Sequence, residues 1–123
     1  MDVTPLIRAG QQVIQSYTGG KFRVSGKSYT NAIIVFPETV EEWAAGGEIT
    51  PAHFAVLAAK KDELDVVLFG TGKSMKILPP ALRAELKAMG LAVESMDTGA
   101  ACRTYNVLMA EGRRVAAALL PSL

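Results

Sequence analysis

The residues best suited to chemistry fall in two short glycine-containing stretches and at one cysteine. Gly70-Thr71-Gly72-Lys73-Ser74 follows the apolar run LDVVLF, and Asp97-Thr98-Gly99 opens the stretch DTGAACRTYN at 97–106. The first resembles the tail of a Walker A loop, but that motif needs its leading glycine at position 67, which is Val67. The dinucleotide pattern G-x-G-x-x-G also fails, because its sixth position is Met75. The second stretch is richer. Asp97 or Thr98 can cap a helix, a helix start offers free N–H donors and partial positive charge, and Arg103 adds a planar guanidinium one turn later. With Lys73, these groups form a candidate pocket for an anion or an acidic peptide. Asn106 stands one turn after Cys102, where a half-buried amide can bind backbone across a groove. Cys102 would need a base to act as a nucleophile, and His53, the only histidine, falls on a different element. One cysteine and one histidine make neither a disulfide nor a zinc site, so no metal or cofactor and no catalytic residue is assigned.

These loops need a scaffold, and 123 residues suffice for one domain spanning 1–123, with residues 1–10 as a loose N-terminal segment. Half of the residues are hydrophobic and 20% are charged, a composition that buries a core and excludes intrinsic disorder. A net charge of +1 gives no basic excess for gripping nucleic acid. The N-terminus lacks a signal-peptide core and a mitochondrial presequence pattern, and no apolar run approaches the roughly 20 residues of a spanning helix. A cytoplasmic location without a transmembrane segment is the expectation.

The first half reads as β structure. Residues 12–17 and 21–25 flank a Thr18-Gly19-Gly20 turn, Gly26-Lys27-Ser28 is a second turn signal, and residues 32–36 form a strand apolar on both faces. Thr50-Pro51 opens a helix through about Lys61, with Phe54, Leu57 and Ala58 on one stripe. Residues 64–69, 91–96 and 115–120 read as strands, separated by helices from Pro79-Pro80 to Gly90 and from Thr98 to Glu111. Strand–helix repetition implies parallel pairing through right-handed crossovers. The fold class is therefore α/β: a single three-layer domain with a mixed, mostly parallel central sheet and an N-terminal β-hairpin layer. In such sheets ligands gather beyond the C-terminal strand ends, where the Gly70 and Asp97 loops fall.

Several segments carry a family resemblance: LFGTG (68–72), LPPALRAEL (78–86), IIVFPETVEEW (33–43) and above all MDTGAACRTYNVLMAEGRRVAAAL (96–119). From about Phe22 to Pro121 the chain resembles small bacterial and archaeal proteins of uncharacterised function related to mitochondrial complex I assembly factor three. The resemblance implies a compact three-layer α/β domain that acts through protein partners, respiratory-chain subunits among them, with no cofactor and no established enzymatic activity. It carries no catalytic residues to transfer. Its most distinctive surface is the pairing of Gly70, Thr71, Gly72 and Lys73 with Asp97, Thr98, Cys102, Arg103 and Asn106. The leading expectation is a non-enzymatic protein-binding module working through that groove. The rival is a small-anion or nucleotide binder, or an enzyme, using the same groove.

Overall fold

The computed structural model describes residues 10–122; the first nine residues, and with them most of the proposed N-terminal arm, lie outside the described part. Three short antiparallel strands come first: β1 (Ile14–Ser16), β2 (Phe22–Val24) and β3 (Lys27–Tyr29), in the order β1-β2-β3. Gly19 and Gly20 take φ of 67° and 73° between the first two, a conformation that glycine adopts without strain. The second turn is tighter than the sequence suggests. Ser25 and Gly26, both at positive φ, complete it, so Lys27 already pairs with Val24 and begins a strand.

The central sheet contains β4 (Ile33–Val35), β5 (Val40–Glu42), β6 (Val66–Gly70), β7 (Val93–Met96) and β8 (Val115–Leu119), in the order β5-β4-β8-β6-β7. β6 pairs in parallel with β7 and β8, while β4 pairs antiparallel with β8 and β5. It follows that four strands run one way and only β4 runs against them. This is the mixed, mostly parallel α/β sheet that the crossover argument requires.

Each face of the sheet has its own apolar cluster, sorted by strand alternation. Ile34, Val67, Phe69, Ala116 and Ala118 point to one side, where α1 (Ala55–Ala58) and α2 (Pro80–Ala88) cover them. Ile33, Val35, Leu68, Val115, Ala117 and Leu119 point to the other, beneath α3 (Thr98–Ala110) and the N-terminal sheet. Trp43, Phe54 and Phe69 meet edge to face, with ring centroids 5.6 to 5.8 Å apart.

The single helix expected from Thr50 to Lys61 is broken. A 3₁₀ turn spans Pro51–Phe54, α1 is one turn long, and a second 3₁₀ turn spans Lys61–Glu63. The Trp43 indole N–H donates to the His53 carbonyl at 2.7 Å, engaging a group that a continuous α-helix would offer to residue 57. Phe54 and Leu57 are nevertheless buried, as their shared stripe demands.

Candidate functional site

The parallel strands β6, β7 and β8 end together, and the two candidate loops meet there. Thr71 N–H donates to the Met96 carbonyl at 2.9 Å, and Thr98 N–H donates to the Gly72 carbonyl at 2.8 Å. The fully buried Thr98 hydroxyl accepts from Gly72 N–H at 2.8 Å and donates to the Leu120 carbonyl at 2.6 Å. Leu120 N–H in turn donates to Gly70. One side chain thus ties the exits of three strands. Gly70 permits this closeness: a Cβ on it would stand 2.9 Å from Thr98 Oγ1 and 3.0 Å from Thr98 Cα. The Thr71 hydroxyl holds the next bend, donating to Ser74 O at 2.6 Å and accepting from Lys76 N–H at 3.1 Å. Around Gly70, Thr71, Gly72 and Thr98 the polar groups are satisfied by one another, so this junction is a sutured one.

The remaining candidates surround it. Asp97 is the N-cap of α3, accepting from Ala100 N–H at 2.9 Å. Its carboxylate occupies the helix start that an anion would need. Arg103 is exposed and donates to the Tyr17 hydroxyl at 2.6 Å, an aromatic partner in place of the surface acid that its charge suggests. Lys73 is exposed beside Gly72. Asn106 does bind backbone across a gap: its amide donates to Ile14 O at 2.8 Å and accepts from Ile14 N–H at 3.0 Å. It thereby serves β1 as a one-residue strand partner and pins the N-terminal sheet to α3. Tyr105 reinforces the joint by donating to Gln12 O at 2.9 Å.

Cys102 is buried in the cluster beneath α3, whereas His53 belongs to the turn on the opposite side of the sheet, where its Nδ1 accepts from Thr50 N–H at 3.0 Å. The structure does not bring the two together. Burial pushes the Cys102 thiol from 9.0 up to about 12, against a smaller opposing pull from Arg103. Burial likewise pushes the Tyr105 phenol upward. Well below pH 9 both groups are protonated in the folded and unfolded chains alike, and stability is unaffected. Above it the unfolded chain releases protons that the folded chain keeps, so stability falls as pH rises from about 9 towards 12. Folded protein at pH 8 is expected to resist thiol-specific alkylation at Cys102 until denaturant is added. Stoichiometric labelling of the native protein, read by intact mass, would refute that burial.

Among the described residues, no three His, Cys, Asp or Glu side chains cluster where they could share a metal ion. No helix among them is long and apolar enough to cross a membrane. Sequence reasoning missed the segment just after the first loop. Met75 and Ile77 are 55% and 77% exposed, with Lys73 before them and Lys76 between them. A signal was present: no acidic residue stands between Asp65 and Glu85, while Lys73, Lys76 and Arg83 do.

The fold is shared with solved bacterial proteins. A crystal structure from Bordetella parapertussis superposes with a TM-score of 0.83 at 39% identity, covering 93% of this chain and 98% of that one. A solution structure from Bordetella pertussis, described as a Mth938-like domain, gives 0.81 at 32% identity, covering 98% and 92%. The architecture is therefore that of the Mth938-like α/β proteins. The chain belongs to the family described as proteins of unknown function DUF498/DUF598, whose pattern matches residues 14–120. An uncharacterised protein of Rhodobacter capsulatus is 38% identical over 92% of this chain and 87% of its own length. NADH dehydrogenase (ubiquinone) 1 alpha subcomplex assembly factor 3 of the mouse is 34% identical over 88% of this chain. This chain spans only 60% of that factor's length.

Proposed function

We propose that the protein is a non-enzymatic assembly module that holds a protein partner, respiratory-chain subunits being the class suggested by its mitochondrial relatives' name. Its contact surface is the sutured sheet end, with Gly70–Lys73 and Asp97–Asn106 as the frame. Lys73 and Arg103 supply exposed charge, and Met75 and Ile77 supply apolar anchors. The observation that carries this reading is that exposed pair of apolar side chains interleaved with Lys73 and Lys76, fixed beside a hydrogen-bonded junction. Such a surface suits a partner patch with an apolar centre and an acidic rim.

Arg103→Glu is expected to reduce capture of respiratory-chain subunits from gently solubilised cells at least tenfold, by reversing charge at the contact. Its melting temperature should change little, because the bond to Tyr17 is exposed and worth about 1 kcal/mol or less. Tyr17→Phe removes the same bond without reversing charge and should keep capture. Wild-type capture by Arg103→Glu, measured by quantitative mass spectrometry, would remove Arg103 from the contact, and loss of folding would make it a structural residue.

A further inference from the structure

Among the described residues the central sheet has two open edges, and they are unequally guarded. At one end, β5 presents the adjacent exposed carboxylates Glu41 and Glu42, a common defence against unwanted strand pairing. At the other end, β7 lies on the outside of β6. Ala92 O accepts from Val67 N–H at 2.8 Å and Met96 O accepts from Thr71 N–H at 2.9 Å, so the even-numbered residues of β7 face β6. Val93 and Ser95 therefore turn their N–H and C=O groups outward, and no backbone group of another described element meets them. The Ser95 hydroxyl is buried and has no hydrogen-bond partner among the described residues. Beside this edge, between α2 and β7, runs a groove of about 420 Å³. Leu78, Leu86, Leu91 and Val93 contribute its apolar surface, and Arg83 and Lys87, one helical turn apart, stand on its α2 wall. The single charge on β7, Glu94, pairs in register with Leu68, so its side chain leaves from the opposite face of the sheet, although the residue also borders the groove.

We infer that the β7 edge and the adjoining groove bind an extended peptide segment of a partner protein, one whose groove-facing positions, every second residue, carry both apolar and acidic side chains, as a sixth strand of the central sheet. Backbone bonds to Val93 and Ser95 supply affinity, and alternate side chains enter the groove. Acidic residues of the segment meet Arg83 and Lys87. A second copy of this chain fits less well, because antiparallel pairing of β7 with itself about a two-fold axis places the two α2 helices on one face with their cationic walls opposed. This site is separate from the sheet-end contact and does not depend on it.

The test is a titration of the isotope-labelled full chain with a capped heptapeptide that carries valine and glutamate in turn at its odd positions and threonine at its even ones, so that both face the groove, followed by backbone amide shifts and hydrogen exchange. Saturable shifts should centre on Val93 and Ser95, and exchange of those two amides should slow at least tenfold at saturation. Methylating alternate peptide nitrogens, or replacing its glutamates by lysines, should weaken binding about tenfold or more. Arg83→Glu combined with Lys87→Glu should do the same while leaving the melting temperature unchanged, since both side chains are exposed. Four results would overturn the inference: no saturable shift up to about 1 mM peptide, shifts confined to Lys73–Ile77, equal binding of the methylated peptide, or protection of β7 by protein concentration alone, which would make a second copy the occupant.

Discussion

Thr98→Val is expected to destabilise the protein by about 2–4 kcal/mol, because it leaves the buried Gly72 N–H and the part-buried Leu120 C=O without their partner. Valine nearly matches threonine in shape, so the cavity contribution is small and the lost hydrogen bonds dominate. Thr98→Ser keeps the hydroxyl and removes one buried methyl, at a cost nearer 1 kcal/mol. The contrast separates hydrogen bonding from packing. Chemical denaturation of the three proteins reads it directly, and a valine variant within 0.5 kcal/mol of wild type (about the error of such measurements) would deny the hydroxyl its role. The harm should be local first: amides of Gly72 and Leu120 should exchange faster even where the rest of the fold persists.

Gly70→Ala attacks the same junction from the opposite side. The new methyl would meet Thr98 Oγ1 at 2.9 Å, and Leu119 Cδ2 and Thr98 Cα at 3.0 Å. The leucine can rotate away, but the α3 backbone at Thr98 cannot move without stretching the bonds to Gly72 and Leu120. We expect a loss of about 2–3 kcal/mol, at the upper end for an added core methyl, and a melting temperature lower by roughly 10 °C. Because both substitutions act on one contact, the double variant Gly70→Ala/Thr98→Val should cost less than the sum of the two. Strict additivity in thermal unfolding would show that they act on separate features.

The elements legible in sequence were those whose residues face a single environment. The residues of β4 and β8 are buried throughout, and α2 places Leu82 and Leu86 inward at helical spacing, so composition and periodicity identify them. β5 was not legible, because Val40-Glu41-Glu42 is an edge strand with two exposed acids and no alternation. The broken helix after Thr50 coincides with Trp43, seven residues upstream of Thr50, reaching the His53 carbonyl, a contact that no local pattern reports. At the candidate site, the meeting of the two loops followed from the crossover rule, and the reach of Asn106 to backbone followed from its place on α3. The role of Thr98 did not follow. As a sequence feature it competes with Asp97 for the cap, and only the approach of Gly70 and Leu120 in space turns its hydroxyl inward.

The position of β8 also bears on how the chain is made. It lies between β4 and β6, so without residues 115–119 the central sheet is two separate ladders, β5-β4 and β6-β7, each lacking its longest partner. Both apolar clusters contain side chains from β8. During synthesis the earlier elements therefore emerge with no completed core to close around, and the decisive contacts join Ile33 to Leu119, far apart along the chain. Folding of the central sheet is deferred until β8 is free, and a nascent chain stalled ahead of it exposes two unfinished ladders to chaperones and proteases.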